Sequence, residues 1–208
     1  MRKGVPAMVE LHRADLKALQ ASGTTHTNLC APGDARWAGI QALAPLDTLE
    51  VPAGARHDFY VLHGGVQERG QTRAAGTFFS RNQALTLRAD TGGALLLWYR
   101  DTVARSSGHE TWAPDEQQWW AGSVQGMQVA PLSKHYHRVS LVQWQAGTRA
   151  APHTHPHGEE IFVLWGELQD ERGAYPAGSW MRFHPGSGHA PYAEQETLIL
   201  LRNGHLST

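Results

Sequence analysis

Residues 147–160 read Gly147-Thr148-Arg149-Ala150-Ala151-Pro152-His153-Thr154-His155-Pro156-His157-Gly158-Glu159-Glu160. His153 and His155 are two apart, so an extended chain turns both rings to one face. Imidazoles placed in this way can converge on one cation. Glu159 follows a Pro-His-Gly turn that brings a carboxylate back toward the same point, while strand alternation sends Glu160 the other way. Downstream, Gly178-Ser179-Trp180-Met181-Arg182-Phe183-His184-Pro185-Gly186-Ser187-Gly188-His189 is a second cluster, and its Pro-Gly-Ser-Gly turn sets His189 at the start of a new strand. Three imidazoles and a carboxylate form a mixed nitrogen–oxygen site. Such a site suits Fe(II), Mn(II), Ni(II), Cu(II) or Zn(II) and is too soft for magnesium or calcium. His135-Tyr136-His137 is another His-x-His pair, but no carboxylate follows it at the right distance. His157 reads as a solvated turn residue.

The spacing Gly147-x5-His153-x-His155-x3-Glu159-x6-Gly166 resembles the first motif of the cupin superfamily. Gly178-x7-Gly186-x2-His189 resembles most of the second, with His184 where the usual proline falls and Pro185 one place later. The fuller pattern, with Glu159-Glu160-Ile161-Phe162-Val163-Leu164 and Tyr175-Pro176-Ala177-Gly178-Ser179, is similar to the ChrR-type branch. The resemblance covers residues 119–204 well and 36–101 faintly. It implies conical antiparallel β-barrels of jelly-roll type. It also implies one divalent transition metal per chain, held by His153, His155, Glu159 and His189. Fe(II) and Zn(II) lead, with Mn, Ni and Cu as alternatives.

Relatives of this branch include small dioxygenases acting on dicarbonyl or hydroxyketone substrates, so the resemblance implies a non-haem metal-dependent dioxygenase. No catalytic acid or base follows from the sequence; His184 and Tyr192 are the polar candidates beside the second motif. ChrR-type cupins also form the zinc-bearing C-terminal module of anti-sigma factors, behind a helical domain with a His-x3-Cys-x2-Cys pattern. Here His26 is followed by Cys30 and no second cysteine, so an intact anti-sigma factor is not expected. A non-enzymatic zinc-binding sensor or ligand-binding cupin is the alternative.

Working outward, the chain repeats itself. Trp37–Gln41 is echoed by Trp120–Gln125, Leu49–Gly54 by Val142–Gly147, and Phe59–Gly64 by Ile161–Gly166. Ala74–Phe79 is echoed by Pro176–Met181 and Leu95–Arg100 by Leu198–Asn203. Five matches in one order predict two copies of a β-rich unit of roughly 70–90 residues. Short apolar runs bounded by turn residues, and the alternation of Ala84–Ala89, read as strands. The expected fold is all-β: two tandem cupin barrels with a short N-terminal helical extension. The extension spans 1–35, with a helix from Asp15 to Gln20 on Leu11, Leu16 and Leu19. A degenerate cupin spans 36–101, a linker 102–118, and the metal-binding cupin 119–208. Gly54 and Gly64 are ten apart where Gly147 and Gly166 are nineteen apart, so the first copy lacks nine residues of the ligand loop. The place of His189, near Thr86 and Leu87, has no histidine either.

Composition bounds the rest. Of 208 residues, 41% are hydrophobic, enough for a core, and 18 Lys+Arg against 19 Asp+Glu leave a charge of −1. That balance argues against a nucleic-acid partner and a polybasic membrane anchor. The single Cys30, read as a small buried hydrophobe, excludes intramolecular disulfides and cysteine-rich zinc sites. No apolar run reaches signal-peptide or bilayer length, so a soluble cytoplasmic protein with a small-molecule substrate or ligand is expected. It is a monomer or a homodimer, since two barrels in one chain already supply a pair. Trp144, Trp165 and Trp180 are assigned to packing. Of thirteen histidines, eight lie after residue 134, and the second barrel's metal loop accounts for that skew.

Overall fold

The computed structural model describes residues 9–102, 109–133 and 138–206, the side chain of Arg138 excepted. It divides into one unit of Ala14–Gln118 and another of Met1–Arg13 with Trp119–Thr208. The boundary cuts through the expected N-terminal extension. β1 (Val9–Arg13) pairs antiparallel with a strand of the C-terminal half, Val9 opposite Phe183 and Arg13 opposite Ser179. Leu11 therefore belongs to a strand, and the helix α1 (Leu16–Ala21) starts after it. Asp15 caps α1 by accepting from the Lys17 and Ala18 amides at 3.1 and 3.0 Å.

The unit Ala14–Gln118 contains β2 (Thr25–Asn28), β3 (Arg36–Leu43), β4 (Thr48–Val51), β5 (Arg56–Glu68), β6 (Gln71–Ala74), β7 (Phe78–Arg81), β8 (Leu85–Asp101) and β9 (Glu110–Trp112). They run in the order β2-β3-β8-β5-β7-β9, with β4 on β8 and β6 on β5, all antiparallel. The expected linker thus supplies β9 to this unit, where it pairs with β7; residues 103–108 lie outside the described ones. Val51, Phe59, Val61, Phe79, Leu87 and Leu96 face one core. Within it, Phe59 stacks on Phe79 at 4.9 Å and on Trp98 at 5.4 Å. Cys30 is only partly buried, and its sulfur accepts from the Ala38 amide at 3.1 Å.

The other unit continues with β10 (Trp120–Ala121), β11 (Met127–Pro131), β12 (Arg138–Trp144), β13 (Thr148–Arg149), β14 (His153–Thr154) and β15 (Glu159–Trp165). It closes with β16 (Glu167–Asp170), β17 (Gly173–Pro176), β18 (Ser179–Phe183), β19 (Gly188–His189), β20 (Tyr192–Ala193) and β21 (Thr197–Asn203). A seven-stranded sheet, β1-β18-β15-β21-β12-β11-β10, shares its core with the four-stranded sheet β13-β20-β16-β17. Val142, Ile161 and Ile199 from the first meet Leu168, Tyr175 and Ala193 from the second. Trp144 and Trp180 are buried, whereas Trp165 is 40% exposed. His135, Tyr136 and His137 lie outside the described residues.

The two units repeat one register. Phe59 lies opposite Phe79 and Trp98, as Ile161 lies opposite Met181 and Leu201. His57 lies opposite Arg81 and Arg100, as Glu159 lies opposite Phe183 and Asn203. Three of the five sequence echoes fall on this register. The other two do not: β3 pairs with β8 as β12 pairs with β21, so the counterpart of the Trp37 strand is β12, and Trp120 has none in β3. By register Thr48, opposite Arg88, stands where Arg149 stands opposite Tyr192, so the first unit runs nine positions from there to His57 where the second runs ten to Glu159, a shortfall of one residue rather than nine. Counting back from Arg88 and Tyr192, which pair alike with Gln67 and Gln169, places Leu85 where His189 stands.

Candidate metal centre

The loop between β13 and β15 owes its shape to short strands and turns. β14 pairs with β19 so that His153 lies directly opposite His189. Gly188 makes that approach possible, because a Cβ there would lie 2.3 Å from the His153 carbonyl oxygen. The His155 amide donates to Ser187 O at 2.8 Å, and the Gly186 amide donates to His155 O at 2.9 Å. The chain then turns through Gly158, which has a φ of 74°, and enters β15 at Glu159.

His153, His155, Glu159 and His189 each offer a ligand atom, and these atoms lie within 4.8 Å of one another. The three imidazole rings form a triangle with 4.9 Å between each pair of centroids. Glu159 closes it, Oε2 being 3.5 Å from His155 Nδ1 and Oε1 3.6 Å from His189 Nε2. His155, Glu159 and His189 are buried, while His153 is exposed and forms the rim. Phe183 packs behind, 4.3 Å from the His189 ring and 5.2 Å from that of His155.

The chemistry of this donor set fits a divalent transition metal. The His153 Nδ1–H donates to Ala151 O at 3.0 Å, which leaves the Nε2 lone pair available. His155 Nε2 is buried without a hydrogen-bond partner among the described residues. Burial, with His153 nearby, holds the His155 pKa down to about 4. Burial, with His155 and His153 nearby, does the same to His189, also to about 4. Both imidazoles are therefore neutral donors at neutral pH. Burial pushes the Glu159 carboxyl up to about 8, and a cation would supply the charge it needs to ionise.

Two carboxylates with no recognisable motif support the cluster. Asp170 Oδ2 lies 3.5 Å from His189 Nδ1, the nitrogen turned away from Glu159. Asp170 is itself held by the Tyr175 hydroxyl and the Arg172 amide, at 2.8 and 2.7 Å. Glu160 points to the opposite face of β15. It accepts from Arg182 Nε at 2.7 Å and from Arg202 Nη1 and His205 Nε2, both at 2.8 Å. Burial opposes its charge, but His205, Arg182 and Arg202 outweigh burial and hold its carboxyl well below the usual range. This network anchors β15 and so directs Glu159 to the cluster.

The structure does not bring His184 or Tyr192 into the site. Phe183 faces the imidazoles, so the next residue on the strand turns away, and His184 Nε2 meets Glu10 Oε1 of β1 at 2.6 Å. The Tyr192 ring lies under the Arg149 guanidinium, 4.3 Å from its centroid. His157 is exposed in the turn. The side chains of Ser123, Ser140 and Asn203 bring polar groups to a cavity of about 450 Å³ that opens on His153, Glu159 and His189. Its other walls include Val142, Ile161, Ile199 and Leu201. Asn203 was accessible to period-two reading, since it shares a face with Ile199 and Leu201. Asp170 sits in a hairpin end and reads only as a turn residue.

The fold is of the cupin type. Residues 107–207 match the family model of ChrR Cupin-like domains. The fold is similar to that of a salicylate 1,2-dioxygenase variant from Pseudoaminobacter salicylatoxidans solved with gentisate, at 12% identity and a TM-score of 0.72, covering 98% of this chain and 84% of that one. It is similar to the protein Ylba from E. coli, at 13% identity and a TM-score of 0.69, over 88% and 83% of the two chains. A Cupin 2 conserved barrel domain protein from Leptotrichia buccalis is also similar, at 13% identity and a TM-score of 0.64, over 95% and 99%. No curated protein matches the sequence. Among the described residues, no helix is long and apolar enough to cross a membrane.

Proposed function

We propose that the protein is a non-haem metal-dependent dioxygenase acting on a small dicarbonyl or hydroxyketone at the His153–His155–Glu159–His189 centre. The observation that carries this reading is the convergence of three imidazoles and one carboxylate at the head of a largely apolar cavity. About 450 Å³ lies in the range of small-molecule pockets. When bound, a redox-active divalent metal would supply Lewis acidity and a path for electrons from the substrate to dioxygen. The chain's own residues do the rest. Val142, Ile161, Ile199 and Leu201 exclude water, Asn203 and Ser140 orient a polar substrate group, and Asp170 keeps the His189 ring in place. Cleavage of one carbon–carbon bond, with one atom of dioxygen entering each product, needs no further reductant. Similarity to a salicylate dioxygenase supports the reading at the level of fold.

The match to ChrR Cupin-like domains favours a second reading, a non-enzymatic zinc-binding sensor or ligand-binding cupin. Metal analysis of protein isolated at low oxygen, followed by oxygen uptake with a panel of β-diketones and hydroxyketones, separates the two. The dioxygenase reading expects iron and substrate-dependent uptake. Zinc alone, with no uptake after reconstitution with iron, removes it.

A further inference from the structure

The barrel without ligands retains a cavity of its own. It measures about 280 Å³ and lies between β2, β3 and β8, walled chiefly by His26, Trp37, Gln41, Trp98 and Arg100. The walls are flat and preset. Trp37 meets Trp98 edge-on, with centroids 5.2 Å apart and planes at 79°, and His26 stacks on Trp37 at 5.0 Å. The Trp37 Nε1–H donates to Asn28 Oδ1 at 2.9 Å and the Trp98 Nε1–H to His57 Nδ1 at 3.1 Å. Both indoles are thereby locked. Gly39 makes room for the arrangement, because a Cβ there would lie 2.2 Å from the Trp37 ring.

Arg100 is the unusual wall residue. Its guanidinium lies 5.5 Å from the centroid of the Trp37 ring, and its Nε is buried without a hydrogen-bond partner. Among the described residues no carboxylate pairs with it. A partly desolvated guanidinium without a counter-ion favours an incoming carboxylate, which it grips with two parallel hydrogen bonds. By register Arg100 stands where Asn203 lines the metal-bearing cavity. A side-chain cation therefore marks the mouth of the barrel that has no metal ligands.

We propose that this cavity binds a small planar monocarboxylate of benzoate size, with the carboxylate on Arg100 and the ring lying against the aromatic wall that Trp37, Trp98 and His26 form. The site is independent of the metal centre. Isothermal titration calorimetry of the full chain with benzoate tests it, with benzamide as the neutral twin and cyclohexanecarboxylate as the non-planar one. Benzoate is expected to bind saturably, and both analogues more weakly. Arg100→Gln is expected to lose at least about tenfold in affinity and Arg100→Lys somewhat less, since the ammonium keeps the charge but not the fork. His153→Ala, which disrupts only the metal centre, is expected to leave benzoate binding unchanged. Absence of benzoate binding, undiminished affinity in Arg100→Gln, or benzamide binding as tightly as benzoate overturns the assignment. Loss of binding in His153→Ala also overturns it, by moving benzoate to the metal centre.

Discussion

The two barrels share one register and differ in what fills it. Where Ile161 and Leu201 line a cavity of about 450 Å³, Phe59 stacks on Phe79 and Trp98 and a smaller cavity of about 280 Å³ remains. Where Glu159 joins three imidazoles, His57 is buried alone, its Nδ1 accepting from Trp98. One further position has been put to two uses. Asp170 and Glu68 occupy the same place in their hairpins, opposite Gly173 and Gln71. Asp170 backs His189 of the four-residue cluster, while Glu68 accepts from Arg81 Nη2 at 2.6 Å and Arg73 Nε at 2.9 Å. Arg81 in turn stands where Phe183 packs on the imidazoles. The lesson is that a barrel without ligands must supply another way to fill and neutralise the same interior. An aromatic stack and an ion pair do that here.

The largest test breaks the metal side. His189→Ala removes a buried ligand and its contact with Asp170, so bound metal is expected to fall from about one per chain to nearly none. Elemental analysis and circular dichroism together check this, since the strand signal should persist. Unchanged metal content in a folded variant would sink the assignment of the four ligands.

The next test breaks the ion pair that the other barrel uses. Glu68→Gln leaves Arg81 and Arg73 without their shared carboxylate and is expected to cost about 3 kcal/mol in denaturant unfolding at neutral pH. Burial works against the charge on Glu68, but Arg81 and Arg73 outweigh it and lower the pKa. The folded value thus lies below the unfolded one. The stabilisation is complete above the ordinary carboxylate value near 4.5 and is lost as pH falls through the folded value. The variant should therefore lose less stability than the parent over that acid window; equal slopes would show that Glu68 is not the group responsible.

A milder effect is expected at the matching position of the metal barrel. Asp170→Asn keeps the shape but weakens the hold on His189 Nδ1, and should lower metal affinity about tenfold to a hundredfold. Competition with a chelator measures it. An unaltered affinity would mean that Asp170 serves the Tyr175 and Arg172 turn alone.

The cluster was legible in the sequence because its spacing is regular: one residue between the first two imidazoles, one turn to the carboxylate, and His189 thirty residues further on behind its own glycine-rich turn. The interior register was legible in three echoes for a similar reason, since inward positions keep their alternation. What failed to show was non-local or depended on strand parity. β1 reads as five unremarkable residues, and only its pairing with β18 places them. His184 and Tyr192 are near the ligands in sequence, yet parity turns one away and Arg149 covers the other. The Trp37 and Trp120 echo was composition without register, because β3 answers to β12.

The smallest energetic effect belongs to the substitution that makes one barrel imitate the other. Leu201→Trp gives the metal barrel the residue that its partner carries at Trp98. In a close-packed core an added ring is destabilising, but here it enters a cavity of about 450 Å³. Stability is expected to change by less than about 1 kcal/mol, because the gain in buried apolar area offsets modest repacking. Metal content should stay near that of the parent, since the four ligands lie on other residues. What should vanish is substrate-dependent oxygen uptake, because the indole takes the space between Ile161 and the metal ligands. Retention of both metal and uptake would show that the cavity is not where the chemistry occurs, and the difference between the barrels would then lie in their loops alone.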